Sequence, residues 1–451
     1  MYDIIIIGGG PGGYVAAIRG AQLGAKVALI EKEQMGGVCL NRGCIPTKAL
    51  LHSANLFTSI KNASQFGIQT AAPAIDFGRM IARKDQVVKT LVGGVQWLMK
   101  NNGIEVFKGE ADVVSDHQIT VNGNVLEGRH IIIAVGSSPV IPPFPGAAAP
   151  RVITSDEALS LSKLPESLAI IGGGVIGIEM AALFQSLGCA ATVIEMADRL
   201  APMMDRDISK ALLELLQKMG VKVYTAAKVA AINGGAVAFH YQDSLHNLPA
   251  AAILMAVGRR SNGLTLSLDK IGLQHERGTI ATDNRLRTNI PNIYAIGDVN
   301  GKFMLAHVAS AEGIVAVENI MGHDRVMDYG AVPQCIYTAP EVAAVGLTEE
   351  QAIQEGYRVK VSQIPLMANG KSLAEGHTKG FVKMIADDAT QRILGVHMMT
   401  PHATDMIAQG AMAMTLGASA GAAVATVFPH PTVSEMMHEA LHGIVAKPIH
   451  M

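Results

Sequence analysis

Charge is what this sequence has least of. It carries 36 Lys and Arg and 38 Asp and Glu, or 16% of 451 residues, where an ordinary soluble domain has about 25%. Roughly 39 of about 113 charges expected at this length are missing. Hydrophobic residues make up 49%, which excludes disorder, since that needs little apolar content and much charge. The formal net charge of −2 leaves no electrostatic footprint for nucleic acid or anionic lipid.

Cysteine is also scarce. Cys39, Cys44, Cys189 and Cys335 are the only four, too few for a secreted disulfide scaffold, so a cytoplasmic location is expected. Cys189 and Cys335 stand alone among apolar neighbours and read as inert buried thiols. The N-terminus lacks the basic start of a signal peptide: Asp3 precedes the first cation, Arg19. Residues 406–429 carry no charge at all and are long enough to span a bilayer. They are rich in Ala, Gly, Thr and Ser, with little Leu, Ile or Phe to drive insertion. They read as a buried helix or an interface element, with no membrane partner.

What the chain does have is a repeat. Ile4 to Glu31 (IIIIGGGPGGYVAAIRGAQLGAKVALIE) returns as Leu168 to Glu195 (LAIIGGGVIGIEMAALFQSLGCAATVIE). Gly8, Gly10 and Gly13 recur as Gly172, Gly174 and Gly177, Leu23-Gly24 as Leu187-Gly188, and Glu31 as Glu195, all at an offset of 164. Each copy predicts a buried parallel strand, a GxGxxG turn, a helix whose N-terminus attracts a pyrophosphate, and a second strand ending in Glu. That Glu is placed to accept hydrogen bonds from a ribose diol and disfavours a 2′-phosphate. Two such sites suggest FAD and NAD rather than NADP. A smaller echo supports the pairing: IIIAVG ends at Gly136 and ILMAVG at Gly258, each closing its unit.

Cys39 and Cys44 lie five residues apart in GGVCLNRGCIPTKAL. In a regular helix that spacing puts Cα atoms roughly 8–9 Å apart, and a disulfide wants less than about 6.8 Å. A bond therefore needs a distorted helical start, which Gly36, Gly37 and Gly43 permit. A reducible disulfide is favoured over unpaired thiols, and over a metal site, which would need a second Cys or His pair nearby. Lys48, one turn past Cys44, can place a cation near a flavin or a thiolate. Further on, His430 with a carboxylate five residues later at Glu435 fits general-base logic. His438-Glu439-Ala440-Leu441-His442 matches the HExxH zinc signature. No third ligand follows, and it reads as a chance match.

Taken together and in order, GGGPGG, GGVCLNRGCIPTK, IIAVGS, IIGGGVIGIE, MAVGRRSN, TNIPNIYAIGDV, MLAHVASAEG, YTAPEVAAVGLTEEQA and FPHPTVSE resemble the pyridine nucleotide–disulfide oxidoreductases, and within them the dihydrolipoamide dehydrogenases. The resemblance covers essentially the whole chain. It implies an α/β fold with two doubly wound Rossmann-like domains and a C-terminal α+β dimerisation domain. The expected division is a FAD-binding domain with the redox disulfide over 1–145 and an NAD-binding domain over 146–262. A central segment completing the FAD domain follows over 263–330, then an interface domain over 331–451.

The resemblance further implies that Gly12 joins the flavin turn and that Gly297 and Asp298 form a third flavin motif, with Asp298 on the ribityl chain. Ala306 is expected to touch the cofactor. Lys48 and Glu179 match a pair at the flavin N5 edge. Cys39 becomes the thiol facing substrate, and Cys44 the one facing flavin. His430 and Glu435 become an acid–base pair supplied by the partner subunit of a homodimer with a shared active site. Val175 stands where glutathione-reductase relatives carry a gating Tyr. Phe428 departs from the pattern, since many lipoamide dehydrogenases have a second His there.

The implied reaction is NAD-dependent reoxidation of a dihydrolipoyl group. The flavin repeat starts at Tyr2, so that group is expected on another protein, the lipoyl domain of an acyltransferase or similar carrier. Glutathione-type reductases select NADP through arginines where Glu195 stands, and mercuric reductases carry a C-terminal cysteine pair where this chain reads KPIHM. A peripheral-membrane NADH:quinone oxidoreductase would share two nucleotide folds without needing CxxxxC.

Overall fold

The computed structural model describes residues 1–451, and three sheets organise them. The isoleucine run forms the middle strand of the first, Tyr2–Ile7, with Ile4 to Ile7 buried. A strand apolar on both faces suits a parallel sheet covered by helices on both sides. Pro11 at the first helical position presets the backbone of helix Pro11–Gln22. Strand Val27–Glu31 then runs parallel to the first, with Ile4 opposite Val27. The parallel strands lie in the order Glu105–Lys108, Val27–Glu31, Tyr2–Ile7, Asn124–Ile133, Ile293–Ala295. The last of these arrives only after the whole second sheet has been built, pairing Ile293 with Ile131.

The second sheet repeats the plan. Its parallel strands are Lys222–Tyr224, Ala190–Ile194, Ser167–Ile171, Ala252–Met255 and Val152–Ile153. The two chain segments joining the first sheet to the second, Ser137–Pro139 and Arg259–Ser261, pair antiparallel with Ser137 opposite Ser261. Each follows one of the AVG echoes.

The third sheet is antiparallel, in the order Gln334–Ile336, Glu341–Gly346, Ile393–Thr400, Phe381–Asp387, Val359–Pro365. Its strands alternate between two cores, as a period of two requires. Val342 and Ala344 join the core shared with helix Val175–Ser186 of the second unit. Ala343 and Val345 join a separate core under helices Ala403–Thr415 and Glu435–Val445.

The uncharged run 406–429 divides at Gly417, whose φ is 65°, into helix Ala403–Thr415 and a short turn of helix Ala420–Ala423. Met406, Ile407 and Ala420 are buried, while Met412, Leu416 and Val427 face outward, Val427 at 92% exposure. No helix of the chain is long and apolar enough to cross a membrane.

Candidate active site

One cavity of about 2400 Å³ runs through the molecule, and both glycine turns open onto it. The three glycines of each turn have different duties. Gly8 and Gly172 have φ of 109° and 110°, a region that strains any side chain. A Cβ on either would lie 2.3 Å from a carbonyl oxygen, of Ala134 or Ala256 respectively. Those alanines open the two AVG echoes, which explains why the echo accompanies the repeat. A Cβ on Gly13 or Gly177 would fall 1.8 or 2.0 Å from the oxygen of Gly8 or Gly172. Neither of these third glycines lines the cavity; they let helix and strand close up. At Gly10 and Gly174 the space is open, with only the Gly37 Cα at 3.9 Å from the first and nothing within 4 Å of the second. Both stand at the N-terminus of a twelve-residue helix without a side-chain cap. Free N–H groups and bare approach make each turn an anion cradle.

Glu31 and Glu195 are held identically. Glu31 accepts the Gly9 and Glu33 N–H groups at 2.7 Å each. Glu195 accepts those of Gly173 and Ala197 at 2.5 and 2.6 Å. Both line the cavity, presenting a fixed carboxylate where a ribose diol donates and a 2′-phosphate is repelled. The residues present therefore fit two dinucleotides with free 2′-hydroxyls. Gly12, Gly136, Gly258, Gly297, Asp298 and Ala306 also reach the cavity wall. Gly12 doubles as a packing residue, since a Cβ on Gly313 of helix Ala306–Ile320 would lie 2.6 Å from its oxygen. Asp298 accepts the Ser137 hydroxyl, which in turn accepts from Arg259 Nε at 2.7 Å.

The cysteines stand where two helices meet. Helix Gly37–Arg42 stops at Gly43, with φ −136° and ψ −112°, and helix Cys44–Lys61 starts afresh. This break brings Cys39 and Cys44 into hydrogen-bond contact across a spacing that a continuous helix would hold apart. The hydrogen bond from Cys39 lowers the Cys44 thiol; burial opposes the shift and the Lys48 ammonium adds to it. The same hydrogen bond, together with burial, pushes Cys39 up. The two thiols are thus pushed in opposite directions, and Cys44 is the one whose thiolate is favoured.

Lys48 crosses from the first unit to the second. Its ammonium meets Glu179 at 2.8 and 3.0 Å and sits 4.3 Å from the centre of the Tyr337 ring. Glu179 is only 3% exposed and also accepts the Tyr337 N–H at 3.0 Å. Three segments far apart in sequence meet beside Cys44.

His430 and Glu435 lie elsewhere. Neither lines the cavity of their own chain, and the His430 side chain is 80% exposed. His430 Nδ1 is 2.9 Å from Glu435, and the Thr432 N–H donates to the other carboxylate oxygen at 2.9 Å. Burial would raise the Glu435 carboxyl, but these hydrogen bonds hold it below its ordinary value. With Nδ1 so occupied, Nε2 is the ring nitrogen left facing outward without a partner. Asn369 grips the Thr432 oxygen at 2.9 Å, and Gln409 the Ser434 hydroxyl at 3.0 Å. Phe428 stacks on His438 at 5.1 Å and 21°, and His438 Nε2 lies 2.9 Å from the Val424 oxygen. Glu439 of the HExxH match is taken up by His450, at 2.7 Å.

One expectation about the remaining cysteines needs amending. Cys189 is buried as expected, but Cys335 is half-buried and reaches the cavity wall. It sits at the end of the third sheet nearest Tyr337, where the strand meets the cavity. Burial pushes both thiols up to about 11. Sequence reasoning also missed Arg42, whose guanidinium joins Glu33 to Asp156 of the second unit, the latter at 3.0 Å, and it missed Ser137, Arg259 and Tyr337. All act through partners over a hundred residues away, so no local pattern marks them.

The chain belongs to the pyridine nucleotide-disulphide oxidoreductases: residues 2–313 match that family, and residues 332–441 match its dimerisation domain. It is a flavoprotein disulfide oxidoreductase that works with FAD and NAD. It is 43% identical to a dihydrolipoyl dehydrogenase of Bacillus subtilis, covering 100% of this chain and 99% of that one. It is 42% identical to a dihydrolipoyl dehydrogenase of Chlamydia muridarum, covering 100% and 98%. Among solved structures it resembles the HOCl-induced flavoprotein disulfide reductase RclA of Escherichia coli, with TM-score 0.87 and 32% identity over 98% of this chain and 99% of that one.

Proposed function

We propose that the chain reoxidises a protein-bound dihydrolipoyl group, working as a cytoplasmic homodimer in which each active site draws on both subunits. The observation that carries this reading is the Cys39–Cys44 pair, set beside the Lys48–Glu179 bridge in a cavity that joins two dinucleotide cradles. Full-length likeness to dihydrolipoyl dehydrogenases supports the substrate.

The first cradle, with Glu31, Lys48 and Asp298, would hold FAD, and the second, with Glu195, would hold NAD. FAD, when bound, supplies the two-electron relay between the dithiol and NAD. The residues of the chain handle the sulfur chemistry. His430 of the partner subunit takes a proton on Nε2 from one substrate thiol, and Glu435 of the partner subunit stabilises the resulting imidazolium. The substrate thiolate attacks the Cys39 sulfur. A substrate–Cys39 bond forms, the Cys39–Cys44 bond breaks, and its electron pair goes to Cys44. Lys48 stabilises that thiolate. The second substrate thiol attacks the first substrate sulfur, forming the lipoyl disulfide and releasing Cys39, which takes up that second thiol's proton, while the first proton stays on His430 of the partner subunit as the counter-charge to the Cys44 thiolate. The substrate is oxidised by two electrons and the cysteine pair is reduced by two.

The two halves of the machinery are spatially separate in one chain, which supports a partner subunit as the source of the base. A lipoyl domain of an acyltransferase, or a similar carrier, fits as the delivering protein. The test is a substrate screen on purified holoenzyme. Dihydrolipoamide should be oxidised with NAD and poorly with NADP. Fast reduction of another disulfide, with no dihydrolipoamide turnover, would overturn the assignment.

A further inference from the structure

The second cradle has a wall whose supports lie in the third sheet. Residues 198–205 leave strand Ala190–Ile194 and fold back over the glycine turn: the Ala201 N–H donates to the Gly173 oxygen at 2.9 Å. Ala201 itself takes a left-handed φ of 42°, and the Met204 N–H closes the turn onto its oxygen at 2.8 Å. The middle of the segment, Pro202 and Met203, lines the cavity together with Glu195 and Met196.

Both ends of this segment are gripped from outside the second unit. At one end, Arg199 Nη2 donates to Glu350 at 3.1 Å and to the Pro202 oxygen at 3.2 Å, and the other Glu350 oxygen reaches across to Arg206, just past the far end. At the other end Asp205, itself buried, accepts the Glu349 N–H at 3.2 Å and the Lys383 ammonium at 2.9 Å. Lys383 rises from the middle of the third sheet and is 2% exposed. Its ammonium also meets Asp207 at 2.7 Å and Glu349 at 2.8 Å. Three donors thus find three carboxylates. Burial would lower the ammonium, but these hydrogen bonds overcome it and push it up. Removing the cation would leave the buried Asp205 carboxylate uncompensated beside two others.

We propose that Lys383, with Glu349 and Glu350, is a positioning residue for the nucleotide in the second cradle: by clamping both ends of residues 198–205 it places Pro202 and Met203 as the wall against the adenosine half of NAD. The dimerisation region then sets nucleotide affinity, and by linkage bound nucleotide tightens the junction between that region and the second unit. The inference rests on NAD occupying the second cradle.

The test uses the FAD-loaded, full-length protein titrated calorimetrically with ADP-ribose, which carries the adenosine half and no reactive ring. Lys383→Met should weaken binding about tenfold or more while flavin content and visible spectrum stay those of the parent. Met203→Ala should weaken it by itself. The double variant should lose less than the two losses combined, because Lys383 acts through that wall. Unchanged affinity in Lys383→Met, parallel loss of FAD, or strict additivity with Met203→Ala would overturn the proposal. Should Lys383→Met fail to fold, Glu350→Gln at the protein surface carries the test, with about threefold weaker binding expected and no change overturning it. Gly174→Ala serves as the control for the premise. If it leaves ADP-ribose affinity intact, the placement of NAD is wrong; if it abolishes binding while Lys383→Met does not, only the clamp is wrong.

Discussion

Lys48 and Glu179 meet at 2.8 Å across the junction of the two dinucleotide units, and the Lys48 ammonium also lowers the thiol of Cys44, one turn before it. A single cation therefore serves a carboxylate of the second unit and a sulfur of the first.

Replacing that cation should move the thiol. Lys48→Met takes away a stabiliser of the Cys44 thiolate, so the apparent titration of the reduced pair should shift to higher pH. Thiolate absorbance or alkylation rate followed against pH in the dithiol protein measures it. An unmoved titration would mean that the Cys39 hydrogen bond alone sets the value.

The glycines of the second turn should separate stability from binding. Gly172→Ala forces a side chain into a φ of 110° and against a carbonyl at 2.3 Å. It should cost about 1–3 kcal/mol or more, visible as a lower melting temperature. Gly174→Ala meets nothing within 4 Å and should melt like the parent while losing affinity for NAD.

His430→Ala should cut dihydrolipoamide oxidation by roughly 10²–10⁴-fold, the usual worth of a general base. Glu435→Gln should cost less and leave NADH-driven reduction of an artificial electron acceptor near the parental rate. Equal loss in both assays would point to a folding defect instead. Mixing the His430→Ala and Cys44→Ser chains should form some dimers with one intact site, recovering part of the activity.

Acid should loosen the third sheet through His397. Burial lowers the imidazole below its ordinary value even though the Leu347 carbonyl, 2.9 Å from Nε2, favours the charged form. Asp205 and Asp207 also pull toward the charged form, and Lys383 opposes it. A folded value below the unfolded one, about 6.5, means the folded state binds fewer protons. Stability is then complete above about pH 6.5 and declines as pH falls toward the folded value. Asp205 behaves with the same sign at lower pH: its carboxyl is held down against burial by Lys383, and its contribution is lost only below the ordinary carboxylate range. His397→Gln should flatten the first decline and leave the second, as read from melting temperature against pH.

The repeat made most of the architecture legible. Strand, glycine turn, helix and terminal Glu all lie within thirty residues, and the physics of each step is local. The cysteine pair was legible for the same reason, since three nearby glycines announced the helical break that Gly43 supplies. What could not be read was anything assembled by the junctions between sheets. Arg42 finds Asp156, and Arg259 finds Ser137, by contacts that no periodicity encodes. Cys335 looked buried from its apolar neighbours because sequence does not show that its strand ends at a cavity. The third glycines, grouped by motif with the ligand-facing ones, proved to face their own strand.

The late arrival of strand Ile293–Ala295 bears on how the chain is made. During synthesis the first sheet stays one strand short until residues 293–295 have left the ribosome, whereas every strand of the second sheet is available once Met255 has emerged. Domains fold as units when their sequence is available, so the second unit should be able to close while the first is still open along strand Asn124–Ile133. Because Ser137–Pro139 and Arg259–Ser261 lie side by side, a finished second unit already holds together the two chain segments between which it is inserted. It would thereby bring the returning chain back beside the gap that Ile293–Ala295 must fill.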